Sequence, residues 1–262
     1  MDIRDLLKEG KVEKVGKLVL KDLKKMKKRE GEWSTLRDLL PLLSDRDEMV
    51  RSNAAFALGV ITGKLREDPT IEIFLAKLSL FVKEDNDPLV RINAINALAL
   101  VAFAYFEKPP VGYDRESVIR FYLRRIIDKI SEGLNDSDAR VRAIALRALN
   151  SIVTHIISKG GNELLKLLLK PELPKLIHPL IPKVTELLKD EDKLVRGYAA
   201  VLLGNIGDTY ALDRLEGLRT DNSEVEIFLD FSSEKTIATT VGKEASEAVK
   251  KIKKRMSVSH QR

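Results

Sequence analysis

The chain has 262 residues, with 46 Lys and Arg against 40 Asp and Glu for a net charge of +6, three His, one Trp and no Cys. Without cysteine there is no disulfide framework, no thiolate nucleophile and no thiolate metal site. No apolar run approaches the roughly 20 residues that a bilayer demands, and the start lacks an apolar signal core, so a cytoplasmic protein with no membrane partner is expected. One-third of the residues are charged and Gln261 is the only glutamine, a balance that predicts a thermophilic source, where ion-pair networks hold and labile amides are avoided.

In chain order, a short helix is predicted near Asp2 to Lys8. A second follows in which Val15, Val19, Leu23 and Met26 share one face, with Gly16 after the Val, and it runs into the basic cluster Lys24, Lys25, Lys27, Lys28, Arg29. A helix over Trp33 to Leu43 precedes the first copy of a cassette that occurs four times: Asp, any residue, Asp, two residues, Val, Arg, then Ala four, Leu eight and an aliphatic eleven positions after the Val. The copies are Asp45, Asp47, Val50, Arg51, Ala54, Leu58, Ile61; then Asp85, Asp87, Val90, Arg91, Ala94, Leu98, Val101; then Asp136, Asp138, Val141, Arg142, Ala145, Leu149, Ile152; then Asp190, Asp192, Val195, Arg196, Ala199, Leu203, Ile206. Helices are predicted upstream of the later copies, over Thr70 to Val82, Ser117 to Leu134, Leu176 to Leu188 and Tyr210 to Leu218.

Two segments break this rhythm. Glu107 to Asp114, with Pro109 and Pro110, reads as a surface loop that presents Tyr113. Between Glu224 and Thr240, Val225, Ile227 and Leu229 alternate with Glu226, Phe228 and Asp230. Thr236 to Thr240 follow a Ser232-Ser233-Glu234 turn, which predicts a β-hairpin standing where a last Asp pair belongs. A final helix carries Val241, Ala245, Val249 and Ile252 at the cassette spacing, with Gly242 in the Arg slot.

Offsets of zero, four, eight and eleven place the four apolar side chains of a copy on one stripe of one helix, which is therefore a buried face. The Asp pair ahead of it is read as a helix start signal and not as a metal site, because four equivalent turns are better explained as four caps. Each Arg stands four residues after the second Asp, within reach of that carboxylate or of one in the adjacent repeat. A structural ladder is expected from Asp47, Arg51, Asp87, Arg91, Asp138, Arg142, Asp192 and Arg196.

The Asp, Val, Arg, Ala and Leu positions of these copies resemble the second helix of a HEAT repeat, in particular the short phycobilisome-lyase-like kind of bacteria and archaea. The resemblance implies an all-α fold, a right-handed α-solenoid of about six helical hairpins with the small β-hairpin inserted near the C-terminus. It would form one domain over residues 1–262, with terminal capping units at about 1–30 and 208–256.

In such a stack the second helices line a concave wall. Stepping two, six and nine from each Val gives a wall with a single charge, Arg147, so the candidate partner-binding residues are Phe56, Ile92, Asn96, Arg147, Asn150 and Val201. A non-catalytic scaffold or adaptor holding a protein partner follows. The alternative is a nucleic-acid-associated protein that uses Lys24, Lys25, Lys27, Lys28, Lys250, Lys251, Lys253 and Lys254, since both chain ends are basic. A HEAT-like DNA glycosylase or lyase is the enzyme precedent, against which stand an uncharged groove and a lone Trp33 ahead of the cassettes. His155, His178 and His260 are too scattered for a metal triad or a nucleophile-base pair. No catalytic residue, metal or cofactor is expected.

Overall fold

Each cassette folds in the same way, and the reason is local. The first Asp of a pair accepts the backbone N–H of the second, at 2.9 Å for Asp45, Asp85, Asp136 and Asp190 alike. This turn aims the second carboxylate at the unsatisfied N–H groups of the helix that follows. Asp47 accepts from Met49 and Val50, Asp87 from Leu89 and Val90, Asp138 from Arg140, and Asp192 from Leu194 and Val195.

The structure, a computed structural model, describes residues 2–27, 34–62, 71–107, 115–159, 177–228 and 236–259. Trp33, Thr70, Tyr113 with the rest of its Pro-containing loop, Leu176, the Ser232 to Glu234 turn and His260 lie outside the described residues. The chain divides into two compact units, Met1–Lys129 and Ile130–Arg262.

In the first unit α1 (Ile3–Lys8), α3 (Ser34–Leu42) and α5 (Ile71–Glu84) are first helices, while α2 (Val12–Lys27), α4 (Glu48–Thr62) and α6 (Pro88–Glu107) are second helices packed side by side. The cassette stripes are the core: Val50, Ala54, Leu58 and Ile61 on α4, and Val90, Ala94, Leu98 and Val101 on α6, are buried. Gly59 lets α4 and α6 approach closely, since a Cβ there would lie 2.5 Å from the Cα and Cβ of Ala97. Helix α6 corrects the expectation that no apolar run is membrane-long, because it is long and apolar enough by length and composition; most of it is nevertheless buried in the unit, as a core helix is.

The helix expected from Ser117 to Leu134 is broken into α7 (Arg115–Val118), a π-helical turn (Ile119–Leu123), α8 (Arg124–Glu132) and a 3₁₀ turn (Gly133–Asn135). Tightening the last turn to 3₁₀ is a common way to satisfy orphan carbonyls before a change of direction.

In the second unit α9 (Ala139–Lys159), the helix Lys193–Ile206 and the last helix, Val241–Ser259, are the second helices; Leu180–Glu186 and Thr209–Leu218 are first helices. The hairpin is present, β1 (Glu224–Phe228) pairing antiparallel with β2 (Thr236–Thr240) in the register Val225 to Thr239 and Ile227 to Ile237. Its placement corrects the sequence reading. It does not stand in place of the cap turn but follows its counterpart, Asp221-Asn222-Ser223, in which Asp221 accepts the N–H of Ser223 at 2.9 Å as the first Asp of every cassette accepts that of the second. Across the strands, the Val241 N–H donates to the Ser223 carbonyl and the Gly242 N–H to the Asp221 carbonyl, so the last helix starts where an uninterrupted cassette would have started it. Glycine is required at 242 because a Cβ would run into the Arg219 and Asp221 carbonyls.

Candidate interaction surface

Neighbouring hairpins are tied by forked Arg–carboxylate bonds. Arg51 donates to Asp85 at 2.8 and 3.1 Å and Arg142 to Asp190 at 2.7 and 2.8 Å; Arg196 donates to Asp221 at 2.8 Å and to the Ser223 hydroxyl at 3.2 Å. The third nitrogen of each guanidinium donates to carbonyls of its own turn, as Arg142 does to Asp136 and Ser137. Arg91, itself buried, does the same to Asp85 and Asn86.

The expected ladder therefore needs correction. Its carboxylates belong to the first Asp of the following cassette, whereas Asp47, Asp87, Asp138 and Asp192 are caps, the geometry having already committed them to backbone N–H groups. Arg4 on α1 extends the ladder to Asp45 at 2.7 and 2.9 Å, a contact that nothing in the cassette pattern announced.

The electrostatics follow. Hydrogen bonds from Arg4, then from the Asp47 N–H, draw the Asp45 carboxyl down to about 2. Burial pushes Asp190 and Asp221 upward, but their hydrogen bonds outweigh it and hold both below the ordinary carboxylate value: Arg142 and the Asp192 N–H for Asp190, Ser223 and Arg196 for Asp221.

The wall of second helices differs between the units. On α4 and α6, Phe56, Val60, Ile92, Asn96 and Leu100 are half-exposed and all are uncharged. Residues two and nine places after the Val mostly do not line this wall, because they pack between adjacent second helices. Ser52 is buried and its hydroxyl accepts from Asn93 at 2.7 Å, and Gly59 abuts Ala97. In the second unit Asn150 is likewise buried, accepting from the Asn205 amide at 2.8 Å, and Gly204 abuts Ala248. Asn150 is thus a packing residue between helices.

Arg147 and Val201 are half-exposed on the second unit's wall, where the hairpin lies over part of the surface. The Arg147 guanidinium stands 5.1 Å from the centroid of the Phe228 ring, and burial lowers its pKa from the ordinary guanidinium value. The Phe228 N–H donates to the Tyr198 hydroxyl at 3.1 Å, and burial in turn raises the pKa of that phenol. Val225 and Ile227 are buried against Gly197, where a Cβ would meet the Ile227 Cδ1 at 3.2 Å.

The basic ends are partly engaged. Lys24, Lys25 and Lys27 stand at the end of α2 with side chains outside the description, and Lys28 is outside it altogether. On the last helix Lys250 pairs with Glu247 at 2.7 Å, Lys253 with Glu216 at 2.8 Å, and Lys251 donates to the Asn205 side chain at 3.4 Å, while Lys254 is exposed. Arg255 donates to the Gly204 and Gly207 carbonyls at the end of Lys193–Ile206. Among the described residues no three His, Cys, Asp or Glu come together as a metal site. His178 lies 3.9 Å from Asp208 with both side chains exposed.

The HEAT-repeat family model matches residues 36–65 and 126–156. No curated protein matches the chain. Among solved structures, the chain is similar to a crystallised engineered protein at 22% identity, covering 85% of this chain and 81% of that one with a TM-score of 0.47. It is also similar to human deoxyhypusine hydroxylase in complex with glycerol, at 16% identity, covering 95% and 98% with a TM-score of 0.26. The two matched stretches are HEAT repeats by that model, and they share their capped helix starts and buried stripes with the cassettes outside them.

Proposed function

We propose that the chain is a non-catalytic scaffold that holds a protein partner on the second-helix wall of its first unit. HEAT repeats generally serve as protein-interaction scaffolds. The observation that carries the reading here is the run of half-exposed, uncharged side chains on consecutive second helices, Phe56 and Val60 on α4 and Ile92, Asn96 and Leu100 on α6. A wall built to neutralise phosphates would present Lys or Arg in successive repeats. This one presents apolar and amide groups, which suit the apolar face of a helix or peptide, with Phe56 as the anchor most able to carry binding energy beyond its area.

The test uses the immobilised full chain to capture a partner, then measures that partner's affinity for wild type, Phe56→Ala and Ile92→Asp. Both substitutions are expected to weaken binding by about 1–3 kcal/mol while leaving the melting temperature nearly unchanged, because neither side chain belongs to the buried stripe. The loss of affinity with added salt should be shallow. Unchanged affinity with a large fall in melting temperature would make these residues core and end the proposal.

A further inference from the structure

The two edges of the hairpin differ, and the phase of its ladder shows how. The Val241 N–H donates to the Ser223 carbonyl, so the bonded pairs, every second residue along the register, are Val225 with Thr239 and Ile227 with Ile237. The backbone groups of Glu224, Glu226 and Phe228 therefore point away from β2, and those of Thr236, Ala238 and Thr240 away from β1. The bond from the Phe228 N–H to the Tyr198 hydroxyl lies on that outward side, as this phase requires. Along the outward edge of β1, Glu224 and Glu226 stand exposed. Charge on an edge keeps a strand from pairing with another chain.

The edge of β2 has no such guard. Thr236, Ile237 and Ala238 are exposed, and none is charged or a proline. Among the described residues nothing bonds to the outward backbone groups of Thr236 and Ala238. Ile237 is 42% exposed although it shares a face with Val225 at 6% and Ile227 at 4%, so this end of β2 overhangs the helices that cover β1. Thr239 is buried again and its hydroxyl donates to Glu244 at 2.9 Å, which leaves an open stretch centred on Ile237.

An open row of N–H and C=O groups is completed by another strand, and the residue pattern selects which one. A two-fold axis beside Ile237 sets Thr236 of each copy against Ala238 of the other, so that both outward donors and both outward acceptors are matched. It also sets Ile237 against its own counterpart. Because Ile237 already faces Ile227, the isoleucine pair of one copy continues into that of the other as an unbroken apolar row on one face. The same operation on β1, centred on Val225 or on Glu226, would oppose carboxylates of the two copies. We propose that the chain forms a two-fold dimer through antiparallel pairing of β2 with β2 of a second copy, in register about Ile237, so that the two hairpins make one four-stranded sheet. So short a pairing buries far less than the roughly 800 Å² per partner of a stable interface, and the dimer therefore exchanges with monomer. It stands whether or not the first unit's wall binds a partner.

Sedimentation equilibrium of the full chain over a range of concentrations should show monomer and dimer in exchange, with a melting temperature that rises with concentration. Ala238→Pro removes an outward N–H and leaves the ladder to β1 intact, while Ile237→Lys opposes two ammonium groups. Each should raise the dissociation constant about ten-fold or more with the circular dichroism of wild type, and either decides the question if the other fails to fold. The register is read separately, because the chain has no cysteine of its own. Ile237→Cys should form a disulfide-linked dimer on mild oxidation, since directly opposed residues of this kind have Cα atoms about 4.5 Å apart, within disulfide reach. Thr236→Cys alone should not, but mixed with Ala238→Cys it should. A wild type that is monomeric at every concentration, a dimer that Ala238→Pro and Ile237→Lys leave intact, or cross-linking of Thr236→Cys as fast as that of Ile237→Cys would each overturn the proposal. So would a dimer that Phe56→Ala dissolves, which would place the contact on the first unit's wall.

Discussion

Replacing Arg142 by Ala tests whether the inter-hairpin pairs hold the second unit together. The substitution removes two charge-assisted bonds to Asp190, at 2.7 and 2.8 Å, and two to the carbonyls of Asp136 and Ser137, at 2.8 and 3.1 Å. The side chains are 17% and 8% exposed, so the pair is far from the exposed limit, where an ion pair contributes about 0–1 kcal/mol. At the buried limit, stranding one partner costs about 3–5 kcal/mol. Asp190 retains the Asp192 N–H as a partner at 2.9 Å, which lowers the penalty from that limit. The expected loss is about 3 kcal/mol, and with a urea dependence of about 2 kcal/mol/M the unfolding midpoint of the second unit should fall by about 1.5 M. Urea denaturation followed by circular dichroism reads this directly. Adding Asp190→Ala should recover part of the loss, because the stranded charge is then gone, giving a coupling of about 1–3 kcal/mol in the double-mutant cycle. An unchanged midpoint, or a double variant equal to the sum of the singles, would refute the idea that these pairs link one hairpin to the next.

Gly59→Val should destabilise the first unit by about 1–3 kcal/mol through overpacking, since even a Cβ would lie 2.5 Å from Ala97, and a melting temperature equal to wild type would show that α4 and α6 can separate at no cost. Acid should weaken the fold with a definite sign. The carboxyls of Asp45, Asp47, Asp190 and Asp221 titrate lower folded than unfolded, so the unfolded chain binds more protons, and the stability they contribute is complete above the ordinary value of about 3.9 and drains away as pH falls toward the Asp45 value of about 2. Urea midpoints measured between neutrality and pH 2 should drop over that window, and Arg4→Ala, which removes the main partner of Asp45, should flatten the drop in the first unit.

The buried stripes were legible because their period belongs to the helix itself: Val50, Ala54, Leu58 and Ile61 share a face whatever surrounds them. The caps were legible for the same reason, since Asp47 and Asp192 act on N–H groups two and three residues away. The ladder was half legible: a reach to the adjacent repeat was one of the two open to each Arg, but which Asp receives it was not. Arg51 lies four residues from Asp47 in sequence, yet the fork closes on Asp85, 34 residues away, and that choice depends on how one hairpin stacks on the next. The wall was half legible for a related reason. A helical wheel gives an angle but not the direction from which a neighbouring helix approaches, so Phe56 and Asn96 stay half-exposed while Ser52, Gly59 and Asn150, assigned to the same wall, are sealed between helices. The hairpin's strands could be read from their alternation, but Asp221 and Ser223 went unrecognised as a cap pair because the helix they serve begins only at Val241.

That displaced helix start has a consequence for function. In the first unit the second-helix wall carries no strand among the described residues, and its half-exposed side chains are apolar or amide-bearing. In the second unit the inserted hairpin buries Val225 and Ile227 against Gly197, borrows the Tyr198 hydroxyl for the Phe228 N–H and places the Phe228 ring beside Arg147. Arg147, the charged residue among the wall positions of the four cassettes, is thereby matched to an aromatic face within the chain, so a hairpin that carries its own apolar residues takes up there part of the contact surface that a partner's residues are proposed to take up in the first unit. An isolated two-stranded hairpin is marginally stable in water, and these contacts with the helix Lys193–Ile206 supply the packing it needs. The repeat therefore presents its wall in two ways among the described residues: partly covered by the chain's own insertion in the second unit, and carrying no strand in the first.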